Sequence, residues 1–439
     1  MLSPWLYFTD PVLQAPTIGS MLMCLSSALV GVVVFLRKRS LLGEALSHAA
    51  YPGVVLAVLS MAIFFPLASD LLALAILIGA FLTSLLGLWA IEKMVRRFRV
   101  KNDAALCFVL SVFFGVGVLI ASRLQFTHAL WYKTVQIFLY GQAATMTDIH
   151  ILIYALLALL LSSVLILLYR QIEMVIFDRD FSKTTGVAVS LVDTLLFVLL
   201  VLAIVIGIRS VGVVLMAGML IAPAVAARSL SHRLWAVFLL AGGIGALSGF
   251  LGNYLSVEIP EWGTWRFTLP TGPMILLSAS TICVCTLLFA PKNGLVSRCI
   301  RILRFRWQCV GENLLKFLWR RRGKGASWHE IKRAQALSSF QVHFLVWRLK
   351  GQGWIEEPKS GQLCLTKDGD LRAARIIRLH RLWEAYLVFL GQGAEKVHRN
   401  AEEMEHIITP ELEKELSELL GDPKHDPHAQ PIPPKESTL

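Results

Sequence analysis

Nine apolar stretches fill the first two thirds of this 439-residue chain, near residues 18–36, 43–60, 67–91, 104–121, 150–168, 192–208, 211–227, 235–255 and 273–290. The hydrocarbon core of a bilayer takes about 20 apolar residues per helix, so the pattern predicts an all-α polytopic membrane domain of about nine transmembrane helices. Composition agrees: 56% of residues are hydrophobic and 16% charged, whereas soluble domains carry about 25% charged residues. An ordinary soluble enzyme is excluded. The amino end, MLSPWLYFTDPVLQAPT, has no basic segment before its first apolar run, so the first helix is expected to be retained rather than cleaved as a signal peptide.

Loop charges orient the helices. Arg37, Lys38 and Arg39 follow the first stretch, Lys93, Arg96, Arg97, Arg99 and Lys101 the third, Arg170, Arg179 and Lys183 the fifth, and Arg228 and Arg233 the seventh. The intervening loops hold only Arg123, Lys133, Arg209 and Arg266. Positive loops face the cytoplasm, which places the amino terminus outside. An odd number of spans then leaves everything after Pro291 in the cytoplasm.

The remaining third differs in kind. Of the 42 Lys and Arg residues, 14 lie between Lys292 and Lys350, against Glu312 and Glu330 on the acidic side. Such a block marks a membrane-facing segment, a nucleic-acid surface, or both. The run KNGLVSRCIRILRFRWQ (292–308) reads as a basic connector suited to an anionic leaflet. The seven cysteines are scattered, with neither a disulfide framework nor a C-x-x-C knuckle, and read as reduced and structural. The end, PKHDPHAQPIPPKESTL, is Pro-rich and polar and is expected to hold little regular structure.

Within the membrane part, Glu44 and His48 are four residues apart at the start of the second span. They share a helix face and offer a carboxylate oxygen and an imidazole nitrogen to a cation; an interfacial pair snorkelling to the rim is the plainer alternative. Pro52 and Pro223 fall inside apolar stretches, where a broken helix lining a cavity and an inert kink are both open. No phosphate-binding G-x-x-x-x-G-K-[ST] loop occurs, and Gly323-Lys324-Gly325 lacks the upstream Gly and the hydroxyl residue. ATP hydrolysis is therefore not a property of this chain. The absence of H-E-x-x-H also argues against an intramembrane metalloenzyme.

The runs RKRSLLGEALSHAAYPGVVLA (37–57), KNDAALCFVLSVFFGVGVLIAS (101–122), SVGVVLMAGMLIAPAVAAR (210–228), LPTGPMILLSA and LLFAPKNGL resemble the membrane permease family of bacterial ABC importers for zinc, manganese and iron, over about residues 15–298. The resemblance implies a transport path through Glu44 and His48, although the family usually has Asp at the first position. It also implies a cytosolic ATPase subunit, an extracytoplasmic metal-binding protein, and a second permease subunit, self or sister. FDRDFSKTTGVAVS (177–190) looks like the loop that couples such permeases to the ATPase, a short helix carrying Asp180 and Phe181 and ended by Gly186. An ordinary helix connection is the alternative.

Residues 312–366 read as a winged helix-turn-helix: helices at 312–322, 328–335 and 338–350, then a hairpin of Trp354–Glu356 and Gln362–Thr366 around a Pro-Lys-Ser-Gly turn. Ser338, Ser339, Gln341 and His343 would face a major groove, with Arg348 and Lys350 toward phosphates. Winged helices also serve as protein-binding modules. Further on, His398, Glu402, Glu405 and His406 fall on one helix face, and His380 and Glu384 share another. Oxygen and imidazole donors without thiolate suit Fe2+ or Mn2+ better than a structural Zn2+ cage; a solvated Glu-rich helix would not need the histidines.

RLHRLWEAYLVFLG, KVHRNAEEMEHIITPELEKEL and DPHAQPIP resemble the diphtheria-toxin-repressor family of iron- and manganese-dependent regulators, over about residues 310–434. The resemblance implies operator DNA and a homodimer, with Glu402, Glu405 and His406 at a regulatory metal site and His380, Glu384 and His398 at an adjoining one. His380 is shared into the regulatory site in manganese-type members. The family's first-helix ligand matches Asn313 here, and Lys316 stands where manganese-type members place Glu. The chain thus divides into a transmembrane permease (1–290), a basic connector (291–309), a DNA-binding winged helix (310–370), a helical metal-binding and dimerisation domain (371–422) and a tail (423–439). The expected role is import of a divalent metal coupled to repression of uptake genes, the repressor acting in place or after release as a soluble fragment. In the rival reading the tail is a metal-sensing gate on transport that leaves DNA untouched.

Overall fold

The structure is a computed structural model that describes residues 3–64, 69–261, 269–321, 323–357 and 361–435. It separates into two compact units, residues 1–297 and 298–439.

Among the described residues of the first unit, eight helices are long and apolar enough to cross a membrane: Pro11–Leu36, Leu41–Phe64, Leu71–Arg97, Asn102–Thr127, Asp148–Leu167, Val189–Val211, Leu234–Pro260 and Thr271–Phe289. Their burial ranks them. The most apolar windows of Pro11–Leu36, Leu41–Phe64 and Val189–Val211 are 72%, 78% and 67% buried, against 22% for Leu71–Arg97. Three helices therefore form the centre and the rest surround it. On Leu71–Arg97 the exposed residues Leu71, Leu74, Ile78, Leu82, Leu86 and Trp89 recur every three or four positions, a stripe that water would not tolerate and lipid would. Close approach of backbones replaces the hydrophobic effect inside the bundle. A Cβ on Gly53 would stand 2.1 Å from the carbonyl oxygen of Gly79.

The stretch expected to span at 211–227 is instead the 15-residue helix Met216–Leu230, about 22 Å long at 1.5 Å per residue and short of the roughly 30 Å hydrocarbon core. Two glycines account for the difference. Gly212 ends the preceding helix at φ +96°, and Gly141 ends the extra helix Ala129–Tyr140 at φ +77°. The two backbones press together, joined by Gln142 N–H to Arg209 O at 3.0 Å and Val213 N–H to Phe138 O at 3.1 Å. Five residues of the apolar stretch are consumed in that clasp and the turn after it. Leu41–Phe64 and Met216–Leu230 both run unbroken through Pro52 and Pro223.

In the second unit, helices Leu295–Arg320, Trp328–Ala334 and Ser339–Gly351 pack around Leu314, Leu315, Leu318, Ile331, Leu345 and Leu349. The strands Ile355–Glu356 and Cys364–Leu365 pair antiparallel, Ile355 opposite Leu365, and an Ala326–Leu363 bridge extends them. This is the expected winged-helix order; residues 358–360 of the wing turn lie outside the described residues. The first helix begins far earlier than residue 312, so most of the expected connector is continuous helix. Its early turns are solvent-exposed, and core contacts start at Trp307. Lys367–Phe389, Ala394–Met404 and Pro410–Leu419 complete the unit.

The tail holds little regular structure, an isolated bridge and turns, yet through residue 435 it is pinned by specific contacts. Asp426 accepts hydrogen bonds from His428 N–H and Gln430 N–H, His425 bridges Pro431, and Arg378 donates to the carbonyl of Pro433 at 2.9 Å. Long-range arginine contacts supply the order that local composition lacks. All seven cysteines are free thiols.

Candidate metal centre

Lys367–Phe389 carries His380 and Glu384 on one face, and Ala394–Met404 lays His398 against them. Thr366 caps the first of these helices by accepting from Gly369 N–H at 3.1 Å. Three donor atoms converge: His380 Nε2 is 3.3 Å from Glu384 Oε1 and 3.2 Å from His398 Nδ1, which is 2.8 Å from Glu384 Oε1. An octahedron with bonds near 2.1 Å has edges of about 3.0 Å, so the triangle has the size of one coordination face. Two imidazoles and one carboxylate leave further positions open and fit Fe2+, Mn2+ or Zn2+ by donor type. His380 and Glu384 are buried and His398 is exposed, so an ion would enter from the His398 side. Glu402 Oε1 stands 3.7 Å from His398 Nε2 on that side.

The electrostatics match a site built to hold charge. Burial alone would raise Glu384, but hydrogen bonds from His380 and His398 hold it down at about 2. For His380, burial opposes protonation, and Glu384 and Glu405 outweigh it and raise the imidazole above its ordinary value.

The single helix face expected for His398, Glu402, Glu405 and His406 does not form, because the helix ends at Met404 and the turn after it carries Glu405 and His406 to a second cluster. Glu405 Oε2 is 2.5 Å from His380 Nδ1, and Glu405 Oε1 accepts from Lys316 Nζ at 2.6 Å. His406 Nδ1 is 2.7 Å from Glu312 Oε2, whose other oxygen accepts from Arg372 at 2.7 Å. From the first helix it is Glu312, not Asn313, that reaches His406. Leu314, Leu315 and Leu318 set the helix phase against the core and turn Glu312 and Lys316, four residues apart, to the same side. Sequence reasoning passed over Glu312, whose visible signal was a carboxylate one turn before a lysine within an apolar face.

On the winged helix, Ser338 caps Ser339–Gly351 in a reciprocal box with Gln341. Ser339 Oγ accepts from Lys332 at 2.9 Å, His343 stacks on Trp328 at 4.5 Å, and Lys350 pairs with Glu357. Arg348 is half-buried. Between these polar groups Phe340, Phe344 and Trp347 are 80%, 38% and 72% exposed.

In the membrane unit, His48 is buried with its ring edge-on to Phe114 at 4.8 Å, and its Nδ1 is 3.0 Å from the carbonyl oxygen of Glu44. A donor Nδ1–H there leaves the lone pair on Nε2, the nitrogen a cation would meet. The segment expected to couple forms the helix Arg179–Thr184, capped by Asp178, with Phe181 exposed, Lys183 2.8 Å from Asp180, and Gly186 at φ +81°. One residue unanticipated from sequence anchors it: Asp193 pairs with both Arg179 and Arg37.

Comparison with known proteins follows the same division. The ABC 3 transport family matches residues 9–290, and the iron dependent repressor, metal binding and dimerisation domain matches residues 366–434. A probable metal transport system membrane protein of Chlamydia trachomatis is 35% identical over 97% of both chains. The manganese transport system membrane protein MntC of Bacillus subtilis is 32% identical over 88% of this chain and 86% of its own, and the zinc transport system membrane protein TroC of Treponema pallidum is 33% identical over 66% and 92%. Among solved structures, PsaBC from Streptococcus pneumoniae in complex with Fab superposes with a TM-score of 0.56 at 25% identity, covering 67% of this chain and 96% of that one.

Proposed function

The chain belongs to the ABC 3 transport family through residues 9–290, and from that premise we propose that it imports a divalent transition metal and represses metal-uptake genes through its own cytosolic unit. It is a membrane permease subunit and not an enzyme; ATP hydrolysis belongs to a separate subunit. It carries a metal-dependent repressor domain at residues 366–434.

In this reading an extracytoplasmic binding protein delivers the metal, Glu44 and His48 line its path, and a second permease subunit, identical or sister, completes the channel. The exposed Phe181 on the Arg179–Thr184 helix docks on the ATPase. The relatives described above are manganese and zinc transport proteins; at the regulatory site Fe2+ or Mn2+ is preferred to Zn2+ because the donor triangle leaves further positions open, which suits six-coordination better than a closed tetrahedral cage. Metal bound at His380, Glu384 and His398 fixes Lys367–Phe389 against Ala394–Met404. That favours a dimer through the helices of residues 376–420 and operator binding by Ser339–Gly351. The amino terminus lies outside and the carboxy-terminal unit inside, a topology that requires the short helix Met216–Leu230 to complete a ninth crossing together with the clasp segment before it; cleavage in the connector between Pro291 and Cys309 would release the tethered unit. An immunoblot showing only full-length chain in metal-replete and metal-starved cells would remove the release step.

The observation that carries the proposal is the His380–Glu384–His398 triangle on the same polypeptide as a metal permease. The test is binding of residues 298–439 to promoter DNA of the chain's own operon with Fe2+, Mn2+ or Zn2+ at fixed salt. Specific binding that requires one metal and disappears in His398→Ala supports the repressor.

A second reading has its own observation. Phe340, Phe344 and Trp347 expose an aromatic face where a groove reader needs polar groups, and Ser338 and Gln341 are spent on capping. That favours a gate, in which cytosolic metal inhibits transport through a protein contact. Metal binding without DNA preference, together with uptake made insensitive to cytosolic metal by Trp347→Ser, selects it.

A further inference from the structure

The cytosolic cluster has two halves that differ in what balances their charge. In the outer half, His380 Nε2, Glu384 Oε1 and His398 Nδ1 face a common point, and among the described residues neither Lys nor Arg is paired with any of the three. In the inner half every carboxylate oxygen already meets a fixed donor. Glu405 Oε1 lies 2.6 Å from Lys316 Nζ, Glu405 Oε2 2.5 Å from His380 Nδ1, Glu312 Oε1 2.7 Å from Arg372 and Glu312 Oε2 2.7 Å from His406 Nδ1. The side chains of Lys316 and Glu405 are 7% and 0% exposed. A metal ion ligated by Glu405 would lie about 2 Å from its oxygen, in the space the ammonium group takes up. It would also strand a buried lysine without its counter-ion.

We infer that Lys316 is a built-in cation that replaces the inner regulatory metal, leaving one exchangeable metal site per chain, at His380, Glu384 and His398. The inference rests on the metal-sensor reading of the outer cluster. It departs from the family expectation, in which Glu405 and His406 are themselves ligands.

The geometry gives Glu405 a definite role. When His380 ligates through Nε2, its Nδ1 carries the proton and donates it to Glu405 Oε2, the carboxylate–histidine–metal arrangement that fixes ring orientation. Glu405 is in turn held by Lys316. Glu405 is thus a positioning residue, and the lysine locks permanently the half of the centre that a second ion would otherwise have to assemble. The unit then responds to its metal with a single binding step rather than a cooperative pair.

The test is Mn2+ stoichiometry by equilibrium dialysis and elemental analysis on the full-length chain in detergent, stripped by chelator. His48→Ala is used throughout so that the membrane path does not contribute. The parent is expected to bind one Mn2+ per chain, His398→Ala none, and Lys316→Arg, which keeps the cation, one. Lys316→Met frees Glu405 Oε1, which lies 3.5 Å from His406 Nε2, and is expected to bind two. A parent that binds two ions, one of them lost in Glu405→Gln, overturns the inference, and this comparison stands even if Lys316→Met fails to fold. A parent that binds none while Lys316→Met binds one sinks the outer-site reading and leaves Lys316 as the internal cation. No binding in either overturns both.

Discussion

Arg37 and Asp193 form an ion pair at 2.7 Å between the end of the helix Pro11–Leu36 and the start of Val189–Val211, and both side chains are largely buried, at 12% and 9% exposure. The other oxygen of Asp193 pairs with Arg179, the first residue of the Arg179–Thr184 helix. One carboxylate thus ties the short Arg179–Thr184 helix to two of the three central helices.

Removing that carboxylate leaves Arg37 buried without a counter-charge, a loss of about 3–5 kcal/mol for a broken buried pair. Asp193→Ala is expected to lower the thermal midpoint of the detergent-solubilised chain and to abolish uptake in proteoliposomes with the ATPase. Arg179 is half exposed, so Arg179→Ala should cost under about 1 kcal/mol yet still weaken ATP-driven uptake by loosening the helix. Equal stability losses in the two variants would show that the clamp does not centre on Asp193.

The Gly141–Gly212 clasp makes a second prediction. A Cβ on Gly212 would stand 2.6 Å from the carbonyl carbon of Tyr140, and its φ of +96° strains any L residue. Gly212→Ala should destabilise by about 1–3 kcal/mol, seen as reduced monodisperse yield in size-exclusion chromatography. Gly115→Ala, with open space around its Cβ position, should elute as the parent does.

The contrast between these glycines and the apolar stretches shows what was readable from sequence. Eight of the nine stretches became long helices because a run of apolar side chains carries its own reason to be in lipid. The seventh did not, because its start is spent on a backbone contact with Gly141, seventy-one residues earlier, which no local pattern records. The spacing likewise announced the His380–Glu384 pair, since ligands on one helix face are separated by three or four residues, whereas the grouping of His398 with that pair came from the family resemblance and not from spacing. The inner cluster was harder to read. Glu312 and Lys316 sit ninety or so residues from His406 and Glu405, and their direction depends on helix phase set by the leucine core. Asp193 carries no local signal, because its partners Arg37 and Arg179 reach it from other helices.

The ordered tail depends on Arg378, a buried guanidinium that donates to Glu413 at 3.2 Å, to Ser417 at 3.0 Å and to the carbonyl of Pro433 at 2.9 Å. Arg378→Ala severs all three and leaves the buried Glu413 with only Arg375, at 3.5 Å. The expected cost is about 3 kcal/mol or more, concentrated in the tail. Trypsin should then cut after Lys424 at least tenfold faster than in the parent, while cleavage elsewhere in residues 298–439 changes little. An unchanged rate at Lys424 would mean that the tail is held by its own turn at Asp426.

The metal-free outer cluster should make stability depend on pH in a way whose sign can be worked out. Glu384 is held at about 2 against an ordinary 4.5, so its contribution is complete above about 4.5 and is lost as pH falls toward 2. A shift of that size is worth up to roughly 3 kcal/mol. His380 is raised above its ordinary 6.5, so its contribution is complete below 6.5 and is lost as pH rises through its folded value. The two arise partly from the same contact and are not additive. Hydrogen exchange in the helix Lys367–Phe389, corrected for intrinsic rates, should therefore show greatest protection between about pH 4.5 and 6.5, with losses on both sides. Saturating Mn2+ should abolish the alkaline loss, because a bound ion replaces the charge that the proton on His380 supplied and itself requires a deprotonated imidazole. If metal-free protection stayed flat from pH 3 to 8, the His380–Glu384 contact would contribute nothing to the fold. If Mn2+ left the alkaline limb unchanged, the ion would not be ligated by His380.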